Sequence, residues 1–281
     1  MLAAGVFTST AGILLRWVEQ ADGWQVLFYR SLSFTLALLA FVALRHRGGL
    51  VQVFREIGRP GLIAAVSLAV AFSSFVFALL ATSVANVVFI LSLSPFLAGL
   101  FAWFALREPV RARLFAAMAV ALLGVGIMVA GGIARGALAG NLFALLSCVG
   151  YAIALTAFRQ RKAVDMLPSV CLAGALSTLA AACFVETFAV TVRDLGLSVT
   201  LGVVQLGLQY VLITIGARHV PAAEVALLAR VQVVLAPIWV WLGVGEVPAL
   251  ATFVGGGIVL MAVMVHAVRT LADERPAVSG L

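Results

Sequence analysis

A chain of 281 residues that is 64% hydrophobic and only 10% charged, with mean hydropathy +1.19, cannot hide its apolar surface in a soluble core. Ordinary soluble domains carry about a quarter charged residues, so lipid is the solvent this composition demands. The net charge of +7 does not make a nucleic-acid surface, because the basic residues are scattered through short loops, as topology determinants are.

Ten apolar segments follow in chain order, each long enough at ~17–23 residues to cross ~30 Å of hydrocarbon. They are 1–17, 24–44, 60–80, 84–106, 112–131, 139–159, 168–190, 198–216, 222–243 and 249–269. The first and eighth are short and contain polar residues. Segment 1–17 lacks the basic start of a signal peptide and reads as a membrane helix. Short connections make neighbours antiparallel. The polar stretch after Arg269 is expected to be a disordered tail. Cys148, Cys171 and Cys183 sit in apolar runs at no metal or redox spacing and read as packing residues.

Lys and Arg orient the segments. With the N-terminus in the cytoplasm, thirteen fall inside: Arg45, Arg47, Arg55, Arg59, Arg107, Arg111, Arg113, Arg159, Arg161, Lys162, Arg218, Arg269 and Arg275. Only Arg16, Arg135 and Arg193 fall outside, and Arg30 and Arg230 lie within helices. Both termini are therefore expected in the cytoplasm.

The chain also repeats. Ala85–Val125 moved by 138 residues (223 − 85) falls on Ala223–Val263 without a gap. Nine positions coincide, among them Trp103/Trp241 and Glu108/Glu246, a Trp-x4-Glu spacing that chance does not readily place twice. Five helices per copy is an odd number, so the second copy must lie inverted. Loop charges agree: the connection after the second helix carries four Arg, and its counterpart Thr191–Leu197 carries one Arg and one Asp. The expected architecture is all-α, ten transmembrane helices as two inverted five-helix repeats, over 1–134 and 135–270 with a tail at 271–281. Inverted repeats typify secondary transporters.

Each half has an apolar fourth helix closing on a glutamate, Ala-Leu-Arg-Glu-Pro at 105–109 and Val-Gly-Glu-Val-Pro at 244–248. In this the chain resembles EamA-type members of the drug/metabolite transporter superfamily over its whole length, and within it looks most like the YddG-type exporters of aromatic amino acids. It departs from a strict repeat where Val233 stands opposite Pro95, the second copy's proline lying at Pro237. The resemblance implies a site between helices 1, 3, 4 and 6, 8, 9, and alternating access.

Arg230, about eight residues into helix 9, is the deepest expected cation, ~12 Å along the axis. A charge there is a functional hypothesis; it either holds a substrate carboxylate or pairs structurally and snorkels to the mouth beside Glu224. Arg30, near the start of its helix, reads as a snorkelling or paired side chain. Gln205 and Gln209, one turn apart, Tyr210, Ser73, Ser74 and Ser92 mark inward faces, since amides and hydroxyls must be satisfied away from lipid. Ser9 and Thr10 do the same in helix 1. Phe77, Phe89 and Tyr151, with Phe72 and Phe75, are stacking candidates or bundle core. Asn86 and Glu224 occupy equivalent positions and read as gates or N-terminal caps. Glu108 and Glu246 suit the N-terminal dipole of the helix that follows each. Gly124, Gly126 and Gly255–Gly257 suit close helix packing.

No H-E-x-x-H or Walker A motif is present, Lys162 is the only lysine, and His46, His219 and His266 form no cluster. The expectation is no enzyme, cofactor or metal, and no nucleic-acid partner; lipid and a small-molecule substrate are the partners, and a monomer is the working assembly. The sequence reading is an inner-membrane secondary transporter, with aromatic or other apolar amino acids the best substrate class and export the direction. A broad-specificity drug or amine exporter of the same fold is the alternative, and a non-transporting scaffold or intramembrane enzyme a weaker one. Glu186 is the nearest candidate for a proton carrier, which points to facilitated or weakly coupled transport.

Overall fold

The computed structural model describes residues 2–46, 49–107, 112–133, 136–160, 165–216 and 231–274. The described residues are helical and loop, with no strand. The helices are α1 (Leu2–Ser9), α2 (Ala11–Arg16), α3 (Gly23–Arg45), α4 (Leu50–Glu56), α5 (Gly58–Ala81), α6 (Val84–Leu91), α7 (Ser94–Leu106) and α8 (Ala112–Ile133). They continue as α9 (Leu138–Arg159), α10 (Leu167–Ala182), α11 (Val192–Thr200), a π-helical segment (Leu201–Leu208), α12 (Gln209–Gly216), α13 (Val231–Val244) and α14 (Leu250–Glu274).

Six stretches are long and apolar enough to cross a membrane: Gly23–Arg45, Gly58–Ala81, Val84–Leu106, Arg113–Gly131, Leu138–Arg159 and Val192–Ile215. Four shorter apolar helices, Ala3–Arg16, Leu167–Ala182, Val231–Val244 and Leu250–His266, accompany them. The chain is a multi-pass membrane bundle.

Three expectations change. The segment 168–190 is helical only to Ala182, and the next helix starts at Val192 instead of 198. The reason lies across the bundle. The Gln25 amide donates to the carbonyls of Thr187 and Ala189, Tyr29 donates to that of Phe188, and Thr191 Oγ1 caps Asp194 N–H. Those carbonyls are satisfied without a helix. Glu186 therefore lies exposed in a loop, not in a helix. The last helix runs through Glu274, past the expected start of the tail, and Leu50–Glu56 forms a short helix inside an expected loop.

The two halves interdigitate. α3 packs on α10 and α8 on α14; α1 packs on α13, and correspondingly α9 packs on α6 and α7. Likewise α5 packs on α9 where the π-segment and α12 pack on α1. Exchanging the halves leaves this set of pairings unchanged. α3 starts, and α10 ends, beside residues 187–189, so these two equivalent helices run antiparallel. Glycine permits the closest pairing: a Cβ on Gly124 of α8 would lie 2.5 Å from the Gly255 carbonyl of α14, as expected of small residues at a membrane helix crossing. Gly126 and Gly257 have nothing within 4 Å. Cys148 and Cys171 are buried packing residues, and Cys183 is exposed.

Candidate functional site

The site is built around Arg30. Asp22 accepts from Trp24 and Gln25 N–H while the Gln25 side chain accepts from Asp22 N–H, a capping box. This pins the start of α3 to the loop after α10, and Arg30 follows seven residues on, ~10 Å along the axis. The face Val26, Leu27, Arg30, Phe34, Leu38 is turned inward and buried. Arg30 is 2% exposed. Its guanidinium lies 5.7 Å from the centroid of Phe75 and donates one long bond, 3.4 Å, to the Phe72 carbonyl. The expectation that Arg30 snorkels or pairs is thus overturned: it points into the bundle and no carboxylate meets it among the described residues. A buried unpaired charge is among the costliest groups a fold can carry.

Arg30 borders a cavity of ≈400 Å³. Interrupted helices form much of its wall. Helix 1 breaks at Thr10 into α1 and α2, and Ser9 faces the cavity, accepting from Trp239 Nε1 at 2.8 Å. Helix 4 breaks between α6 and α7, where Ser92, Ser94 and Pro95 line the wall and Pro95 opens α7 without a lost bond. The π-segment supplies Gln205, and α12 supplies Gln209. Irregular backbone at membrane depth is tolerated where it lines a cavity, and π-turns mark functional positions in helices.

Gly202 brings the π-segment against α3, where a Cβ would meet the Arg30 carbonyl and Ser33 Oγ. One turn on, Gln205 is 1% exposed, and the Oε1 atoms of both Gln205 and Gln209 are buried without a hydrogen-bond partner. Tyr151 also lines the cavity, near Arg30, its ring 6.0 Å from Phe72, with the Tyr210 side chain beside it. Among the described residues no Asp or Glu lines the cavity. Arg30 is the one charged group among the described lining residues, and the other walls are apolar, hydroxyl-bearing or amide-bearing, with Gln205, Gln209 and Gln232.

The end of the bundle that carries Arg16 is closed. Arg16 Nε binds Glu246 Oε2 at 2.8 Å and Nη2 binds the Thr82 carbonyl at 2.8 Å. Glu246 Oε1 accepts Val84 N–H at 2.9 Å. Glu246 therefore caps α6 and not the helix that follows it, which corrects the sequence reading. Asn86 is no helix cap either: Ser83 performs that role. The buried Asn86 side chain instead joins Thr82, Asn141 and Thr252, tying α5, α6, α9 and α14. Below this closure Leu15, Leu79 and Leu201 leave a void of only about 10 Å³ beside Arg30.

The structure gathers Ser92, Tyr151, Gln205 and Gln209 on one cavity and sets Tyr210 behind Tyr151. The other expected contacts lie elsewhere. Ser73 bonds its own helix at Ala69, and Ser74 is buried off the cavity wall. Phe77 packs on Trp24 and Phe143, and Phe89 packs over Gly256. Pro237 lies inside α13. Arg230, Glu224 and Glu108 lie outside the described residues.

The EamA-like transporter family model matches residues 1–130 and again 138–267. The chain belongs to the EamA-like transporter family. The two matches stand 137 residues apart (138 − 1), within one residue of the offset found in the sequence. Membership makes this EamA-like chain a membrane transporter of the drug/metabolite type. Among curated proteins none matches it. One protein of known crystal structure aligns with TM-score 0.65 over 97% of this chain and 96% of its own, at 22% identity. At that identity the likeness concerns the fold alone.

Proposed function

We propose that this EamA-like protein is a secondary transporter that exports small amphipathic metabolites bearing a carboxylate, with aromatic and other apolar amino acids as the substrate class. The observation that carries the reading is the buried, unpaired Arg30 on a cavity without a described acid. A guanidinium is suited to a carboxylate, and an anion in the cavity removes the cost of the bare charge. Phe75 and Tyr151 offer ring surface to an apolar side chain. The cycle is alternating access, the two interlocked halves rocking about the site, in a bundle of ten helices in two inverted repeats. The protein acts as a monomer in the inner membrane with both termini in the cytoplasm.

The test is flux in proteoliposomes across amino acids, nucleosides and cationic dyes. Transport of aromatic or apolar amino acids, and exclusion of dyes, is expected. Arg30 on the cavity wall should repel cations, so movement of cations but not zwitterions would overturn this reading in favour of amine export, and no flux of any compound would sink the transport reading.

A further inference from the structure

Two buried acceptors remain unexplained by a carboxylate on Arg30. Gln205 Oε1 and Gln209 Oε1 have no donor, although both residues line the Arg30 cavity. Buried carbonyl oxygens without a partner are rare in folded proteins and cost free energy. Here two stand four residues apart on one stretch of helix, so a single donor group with several protons can serve both. The close pass of Gly202 over the Arg30 carbonyl sets this stretch directly beside the arginine.

We propose that Gln205 and Gln209 form the ammonium subsite of the transporter, so that the substrate is recognised as an α-amino acid with a free primary ammonium. This rests on the reading of Arg30 as the carboxylate anchor. An α-amino acid carries both groups on one carbon, so their receptors must share one small cavity, as Arg30, Gln205 and Gln209 do. A lone cation would be repelled by Arg30; one held beside its own carboxylate is not. Neutral amide oxygens accept from an ammonium without adding a negative charge that would pair with Arg30 and fill the carboxylate's place. Amines without a carboxylate, and carboxylates without an ammonium, each leave half of the site unsatisfied.

The experiment uses the full-length chain in proteoliposomes and labelled phenylalanine as the first probe, replaced by whichever amino acid the flux panel shows to move. Competitors are 3-phenylpropanoate, N-acetylphenylalanine and phenethylamine. A site with polar groups built for a donor rejects analogues lacking it strongly, so the first two should compete about 100-fold or more worse than phenylalanine. In Gln205→Met with Gln209→Met that gap should fall to about 10-fold or less, while phenethylamine stays excluded. Equal competition by phenylalanine and 3-phenylpropanoate in the wild type, with phenethylamine excluded, overturns the ammonium subsite and leaves the Arg30 reading standing. Competition by phenethylamine alone, or no amino-acid flux at all, overturns the Arg30 reading itself. Should the double variant fail to run as a monodisperse species, the wild-type comparison decides alone; an unchanged gap in a well-folded double variant also overturns the proposal.

Discussion

Gly202 packs against the carbonyl oxygen of Arg30, so closely that a Cβ would overlap that oxygen and the Ser33 hydroxyl. Backbone cannot step aside as a flexible side chain can. Gly202→Ala should therefore lower stability by about 1–3 kcal/mol through overpacking and push the π-segment off α3. Thermal unfolding in detergent, read with flux, checks it: unchanged melting and unchanged flux would show that the two backbones can separate freely.

Arg30 predicts a split between stability and function. Removing a buried charge that lacks a partner is neutral or stabilising, whereas an anchor for the substrate is indispensable to binding. Arg30→Met should melt no lower than the wild type and lose about 100-fold or more in transport efficiency, on the order of the 3 kcal/mol of a charged hydrogen bond. A variant that unfolds instead would show that Arg30 is a structural residue.

The Arg16–Glu246 pair joins the end of α2 to the N-terminus of α6, with side chains 26% and 21% exposed. A partly exposed pair contributes about 1 kcal/mol at most, a suitable strength for a contact that opens in the alternating-access cycle proposed above. Glu246→Gln should shift the population toward opening at this end. Labelling of Ser83→Cys in a Cys183→Ser background by an impermeant thiol reagent should speed up; an unchanged rate would remove the pair from gating.

Asp194 is 1% exposed and accepts the N–H groups of Glu19, Gln20 and Ala21. Beside it Arg193 pairs with the exposed Glu19 carboxylate of the same turn. Asp194→Ala removes three part-buried hydrogen bonds to a charged acceptor and should cost about 3 kcal/mol, with Asp194→Asn intermediate. Thermal unfolding measures it, and loss of less than a degree for Asp194→Ala would mean that the turn finds other acceptors.

How legible the site was differs by residue. Gln205, Gln209, Ser92 and Tyr151 stand out in the sequence because polar groups in a greasy segment must face inward, and the structure puts them on one cavity. Arg30 looks shallow in the sequence because depth there can only be counted from the start of the apolar run. The capping box and the loop over it bury that start, and the inward face of α3 decides the rest. No periodicity could reveal that face: in lipid both sides of a helix are apolar, as Leu36 and Leu39 outside and Phe34 and Leu38 inside show. The end of α10 is hidden from the sequence for a related reason: the groups that hold the carbonyls of Thr187, Phe188 and Ala189, in the loop beyond it, come from α3.

The sequence by itself determined the solvent, the helical class, the family and the duplication. These follow from composition and a repeated pattern, which act residue by residue along the chain. The tertiary structure alone decided that Arg30 faces the cavity, where Glu246 and Asn86 find their partners, and which described amides are left without one. Those are contacts between helices far apart in the chain. In a bilayer, where hydrophobicity does not distinguish inside from outside, only the packing of one helix on another can assign them.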